Sequence, residues 1–138
     1  MKKNFILILI SVLMLTACAS QPRATPVTGT WLLVSYGPAS DQLSTLPDLN
    51  RSLIFDADGK INGNVGCNSF AGTYTLQGDQ ISFQQGVSTQ LACVPDIIMQ
   101  QEAFTLKILS NNPKFKVDGR SLTLWTDEGT LILELDGN

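Results

Sequence analysis

The side chains best placed to do chemistry gather between Gly59 and Tyr74, where Gly-Lys-Ile-Asn-Gly-Asn-Val-Gly-Cys-Asn-Ser-Phe-Ala-Gly-Thr-Tyr sets Cys67 and Asn68 among glycines. A cysteine in such a setting can be a nucleophile, a metal ligand, a redox centre or half of a disulfide, and each use needs companions. A nucleophile needs a base; the chain has no histidine, and no spacing nominates a lysine or an acid in its place. A zinc site needs more ligands, and a redox pair prefers two cysteines in one tight turn with a lowered pKa. No two acids declare themselves as a glycosidase pair. No catalytic residue, metal or cofactor is therefore expected.

The compartment decides between the remaining uses. Lys2 and Lys3, the apolar run Phe5 to Leu15 and the small residues after it read as an export signal over residues 1–17. A spanning helix needs about 20 apolar residues, and this run is shorter. Leu15-Thr16-Ala17-Cys18 resembles a bacterial lipobox, in which cleavage leaves the cysteine first and acyl chains are attached to it. Cys18 is the expected lipidation site. Each buried methylene contributes about 0.8 kcal/mol, and two or more chains hold stably where one does not. Ala19 in place of Asp resembles the outer-membrane sorting pattern of Gram-negative lipoproteins. The expected location is the cell envelope, lipid-anchored at the outer membrane and facing the periplasm. Disulfides persist there, so Cys67 and Cys93 are expected to be joined; closing that loop contributes about 3 kcal/mol in the chain-entropy account.

Asn68 can satisfy neighbouring backbone groups and tolerates left-handed geometry. It is read as fixing the turn beside the bridge, with a ligand contact as the alternative. Thr89 is read likewise, as a hydrogen-bonding residue of the irregular segment before the helix or a ligand contact, and Glu102 is expected to bond that segment too. Trp31, Phe55, Phe70, Tyr74, Phe83 and Trp125 are expected in the core rather than on a sugar-binding platform.

Without the signal the chain keeps 7 of its 9 basic side chains against 12 acidic ones, a net charge of −5. No basic patch appears, and nucleic acid is disfavoured as a partner, because phosphate binding needs clustered Lys and Arg.

Positioning these residues is the task of one modest domain. Residues 18–26 read as a tether between lipid and domain, and residues 27–138 as the fold. Strands are expected at Trp31 to Tyr36, Arg51 to Phe55, Lys60 to Val65, Ala71 to Leu76, Gln80 to Gln84, Lys114 to Val117, Arg120 to Trp125 and Thr130 to Leu135. Asp-Gly and similar turns join several of them. Gly37 to Leu49 reads as a connection rather than a lid. The turn Asp56-Ala57-Asp58-Gly59 faintly suggests a calcium loop, but the later ligand positions carry Lys60 and Ile61, so a solvated turn is expected. Gly86 to Val94 is less regular. Pro95 and Asp96 start a helix running to about Leu109, with Ile97, Phe104 and Ile108 as its buried stripe. Four glycines between Gly59 and Tyr74 imply bends, bulges or close backbone approaches. The expected fold class is mainly β, a small antiparallel barrel-like sheet of about eight strands with one α-helix.

The chain resembles the META domain family, also known as heat-shock-lipoprotein-like. The resemblance rests on Trp31-Leu32-Leu33, the Phe55 strand, Gly63, Gly66-Cys67-Asn68-Ser69-Phe70-Ala71-Gly72, Tyr74, Thr89, Ala92-Cys93, Glu102 and Leu122-Thr123-Leu124. It implies a small β-rich domain, often on a bacterial lipoprotein, linked in some members to heat shock, antibiotic tolerance or secretion, with no established enzymatic activity. The function expected on this basis is that of a non-enzymatic envelope lipoprotein, binding an unknown envelope protein or small ligand and supporting envelope stress or antibiotic tolerance. The alternative is a lipocalin-like carrier, or an inhibitor of a wall-degrading enzyme.

Overall fold

The computed structural model describes residues 25–46, 48–49 and 51–137. The expected export signal, the expected lipidation site Cys18 and the expected tether as far as Ala24 lie outside the described residues. Among the described residues nine strands and one helix follow in order: β1 (Gly29–Gly37), β2 (Leu43–Ser44), β3 (Ser52–Phe55), β4 (Lys60–Asn64), β5 (Ser69–Gln77), β6 (Gln80–Ser88), α1 (Asp96–Ser110), β7 (Lys114–Asp118), β8 (Ser121–Thr126) and β9 (Gly129–Leu135). All pairings are antiparallel. Neighbours follow chain order from β3 to β9, and β9 returns to pair with β1, closing an eight-stranded barrel. Closure removes the exposed edges that an open sheet would leave. The short β2, which the sequence reads as loop, extends the same edge of β1 that β3 occupies, pairing Ser35 with Ser44.

The interior is one apolar cluster drawn from β1 and β3–β6, the end of the helix, and β8 and β9, with Trp31, Leu33, Leu53, Phe55, Ile61, Ile81, Ile108, Leu109, Leu122, Leu124, Leu131 and Leu133 all at most 2% exposed. Trp31 donates its indole N–H to Val27 O at 2.7 Å. Burying an indole requires such a partner for its one polar atom. Thr25, in the stretch expected to be a tether, is also docked, since its Oγ1 lies 3.2 Å from the Tyr74 hydroxyl.

The barrel's thinnest seam is between β6 and β7. Only Gln80 and Lys114 pair there, supported by Ile81 N–H to Pro113 O and Phe115 N–H to Asp79 O. Helix α1 packs against β6 and also touches β1, β8 and β9. Its span matches the sequence reading, but its buried face matches only at Ile108. Ile98, Gln101, Glu102, Thr105, Ile108 and Leu109 face inward, whereas Ile97 and Phe104 are only half-buried. A search for apolar periodicity passes over a face whose middle carries three polar residues.

Two glycines show what the Gly59 to Tyr74 stretch is for. A Cβ on Gly66 would stand 2.6 Å from Ile98 O and 2.8 Å from Glu102 Cβ, so the helix rests directly on this backbone. Gly72 sits at a β-bulge, where the β5–β6 register shifts between Ala71 and Gly72. Past the bulge β6 continues to Ser88, through part of the segment read from sequence as irregular. The Asp56 to Gly59 turn is solvated, with Lys60 Nζ 2.6 Å from Asp58. The Lys60 hydrogen bond holds the Asp58 carboxyl below its ordinary value.

The aromatic residues divide. Trp31, Phe55, Phe70 and Tyr74 are buried, and Phe83 packs against the core. Trp125 departs from expectation. On β8 Leu122 and Leu124 point inward, and Ser121, Thr123 and Trp125 alternate with them on the half-buried outer face.

Candidate functional site

The stretch between β4 and β5 makes a corner whose backbone N–H groups converge on one carboxylate. Glu102 Oε2 accepts from Cys67 N–H at 2.8 Å and from Asn68 N–H, while Oε1 accepts from Asn68 Nδ2 at 2.8 Å. The neighbouring Gln101 donates to Val65 O at 2.7 Å. Two consecutive helix residues thus hold three consecutive carbonyl and amide groups of the corner, from Val65 to Asn68. The bare backbone of Gly66 lets them approach.

Asn68 is 6% exposed and uses all its hydrogen-bonding capacity. Its Oδ1 accepts from Thr89 Oγ1 at 2.8 Å and Leu91 N–H at 2.7 Å; its Nδ2 donates to Leu91 O at 3.2 Å and to Glu102. An amide side chain has two donor hydrogens and two acceptor lone pairs, so nothing is left over. Thr89 is equally engaged, its hydroxyl also accepting from Ser69 N–H at 3.2 Å and its N–H donating to Ser69 O at 3.0 Å. Both side chains thus spend their hydrogen bonds within the chain, on the corner and on the segment before the helix. Thr89 bonds from within the segment before the helix. Glu102 reaches instead to the far side of the corner, to Cys67 and Asn68.

The corner is closed covalently. Cys67 and Cys93 are bonded with their Cα atoms 5.9 Å apart, within the ordinary range for a disulfide. Together the bridge and Asn68 pin residues 89–93, which have no regular secondary structure, against the barrel. Beside the corner Val87, Leu91 and Val94 stand out, 71%, 61% and 84% exposed. Among the described residues no three His, Cys, Asp or Glu side chains gather to hold a metal ion.

Gln101 is the residue that sequence reading missed. A signal was present: polar residues at positions 101, 102 and 105, between Ile98 and Ile108, occupy the inward turn positions of a helix whose other faces carry polar residues as well.

A closed antiparallel barrel of eight strands, sealed by one helix and stapled beside its Gly-Cys-Asn corner, defines a small β-barrel domain. The META domain family model matches residues 24–136, and the chain belongs to that family. Among solved structures it is similar to a protein of Burkholderia xenovorans determined by NMR, with TM-score 0.65 and 20% identity over 86% of this chain and 90% of the other. It is also similar to a DUF4847 family protein from Bacteroides vulgatus, with TM-score 0.57 and 16% identity over 80% and 94%. A lipocalin-like protein from Bacteroides uniformis matches with TM-score 0.53 and 18% identity over 81% and 100%. These likenesses show the fold. No curated protein matches the chain.

Proposed function

We propose that this protein is a non-enzymatic bacterial envelope lipoprotein, anchored through Cys18 at the outer membrane, whose META barrel supports the envelope under stress by binding a partner. One observation carries the non-enzymatic reading. The residues most suggestive of chemistry, Cys67, Asn68, Thr89 and Glu102, are bonded to one another and to backbone rather than aimed at a substrate. The lipobox-like Leu15-Thr16-Ala17-Cys18 supports the anchor.

Metabolic labelling with an alkyne-bearing palmitate should tag the protein and fail to tag Cys18→Ala. A deletion strain should be more sensitive than its parent to heat, detergent and antibiotics. A strain indistinguishable from its parent under all three rejects the stress role, and an untagged wild-type protein rejects the anchor.

A second reading, an inhibitor of a wall-degrading enzyme, is favoured by the exposed Val87, Leu91 and Val94 on and beside a loop that the disulfide holds still. Inhibition of a purified lysozyme or lytic transglycosylase, lost in Leu91→Asp, would support it. A carrier holding its ligand inside the barrel is less well supported, because side chains from β1, β3–β6, β8 and β9 fill that space.

A further inference from the structure

Where α1 ends and β7 begins, the surface folds into a concavity of about 320 Å³ lined by Asn111, Asn112, Lys114, Trp125, Thr126 and Asp127. That volume is at the small end of ligand clefts, which run from about 300 to 1,000 Å³. We propose that this concavity is a saccharide-binding site, with Trp125 as its stacking platform. The proposal goes beyond the anchor and the envelope role, and stands whether or not either holds.

The two tryptophans make the first argument. Trp31 is 2% exposed and its indole N–H is bonded to Val27 O. Trp125 lies on the outer face of β8, directly across from Lys114 on β7 and Thr130 on β9. It fills no place in the core, and its indole N–H has no hydrogen-bond partner among the described residues. A large amphipathic ring set outward with its donor free is suited to a ligand that has both an apolar face and hydroxyl groups.

The rim makes the second. Gln80 Nε2 donates to Asn112 O at 2.9 Å and fixes that backbone, which is left-handed with φ 48°. Among the described residues the Asn112 side-chain amide has no partner, and neither has the Asp127 carboxylate. Lys114 meets Asp79 only loosely, at 3.8 Å with both groups exposed. Asn111 and Glu128 are by contrast already engaged, Asn111 Nδ2 donating to Glu128 Oε2 at 3.0 Å and Lys107 pairing with Glu128 at 3.0 Å. One concavity therefore presents free donors from Trp125 and Asn112, a loosely held one from Lys114, and free acceptors from Asn112 and Asp127.

Sugar hydroxyls donate and accept at once, and so need both kinds of group around a ring whose C–H face lies on an aromatic. An anionic ligand fits poorly, since Lys114 is the one cation among the lining residues, which also include Asp127, and it already meets Asp79. A lipid chain fits poorly against a rim of amides and charges.

The test uses the protein as isolated from its own cells, in detergent micelles and labelled with nitrogen-15, titrated with chitotriose and with maltotriose. At least one of the two should bind saturably, move the indole N–H resonance of Trp125 and leave that of Trp31 in place. Trp125→Ala should weaken that binding tenfold or more. Asn112→Gly, which suits a left-handed backbone, should weaken it about fivefold, the size of one lost hydrogen bond. Binding by neither sugar overturns the proposal, as does binding that leaves the Trp125 resonance unmoved. Unchanged affinity in a folded Trp125→Ala overturns it too, and the unaltered Trp31 resonance reports that the variant has kept its core.

Discussion

Helix α1 stands between two polar neighbourhoods that are similar in composition and opposite in state. At the Cys67 corner, Asn68, Thr89, Gln101 and Glu102 are bonded to one another and to main chain. At the Trp125 concavity, the indole N–H, the Asn112 amide and the Asp127 carboxylate have no partner among the described residues. The difference teaches that a conspicuous motif is not by itself a site. A buried polar group needs its bonds for the fold to stand, whereas an exposed group held on a rigid strand or turn and left unbonded is available to a ligand. The two regions should accordingly respond to substitution in opposite ways.

The largest effect is expected at the corner's covalent link. Removing the disulfide with Cys67→Ala and Cys93→Ala together should cost about 3 kcal/mol of stability, read as a lower midpoint in urea denaturation. A loss no larger than that of a surface substitution would mean that the hydrogen bonds alone define the corner, and would move it toward the concavity's class.

Glu102 comes next. Glu102→Ala leaves two backbone N–H groups and the Asn68 amide without their acceptor and should cost about 2–3 kcal/mol. Glu102→Gln, which keeps one acceptor oxygen, should cost less. Coupled with Asn68→Ala, the losses should fall short of additivity by about 1 kcal/mol or more, because the two side chains share one network. Additive losses would show that the corner is a set of separate contacts.

How much of this was legible in the sequence follows from the same distinction. All eight barrel strands were visible, because Asp-Gly and similar turns bound them and alternation marks their faces; β2, only two residues long, has no pattern to read. The helix span was legible from Pro95 and Asp96, while its inward face was not, since Gln101, Glu102 and Thr105 are polar residues made buriable by partners far along the chain. That Asn68 bonds neighbouring backbone was readable from its chemistry, whereas its partners Thr89, Leu91 and Glu102 were not. Trp125 was misread, although the alternation Ser121, Leu122, Thr123, Leu124, Trp125 carries the correction: counting by twos from the leucines puts the tryptophan outside. Its free N–H could be found only in three dimensions.

At the concavity the stability effects should be small. Trp125→Ala removes a half-buried outer-face ring and should cost about 1 kcal/mol, against about 3–5 kcal/mol for Trp31→Ala in the core. Thermal unfolding of the two variants beside wild type measures the contrast. A Trp125→Ala loss as large as that of Trp31→Ala would make the ring a structural prop and weaken its assignment to a ligand.

The smallest change is expected from Asn112→Gly and Asp127→Asn. The first removes an unpaired amide from a position whose φ of 48° glycine adopts without strain. The second removes a charge that has no ion-pair partner among the described residues. Neither breaks a side-chain bond, so each should stay within about 0.5 kcal/mol of wild type in the same denaturation experiment. Glycine also gives the unfolded chain more freedom, which works against the variant by a few tenths of a kcal/mol, about as much as the relieved backbone returns. A loss well beyond that from either substitution would show that these groups hold the helix end in place, and the concavity would then be a second corner of the first kind.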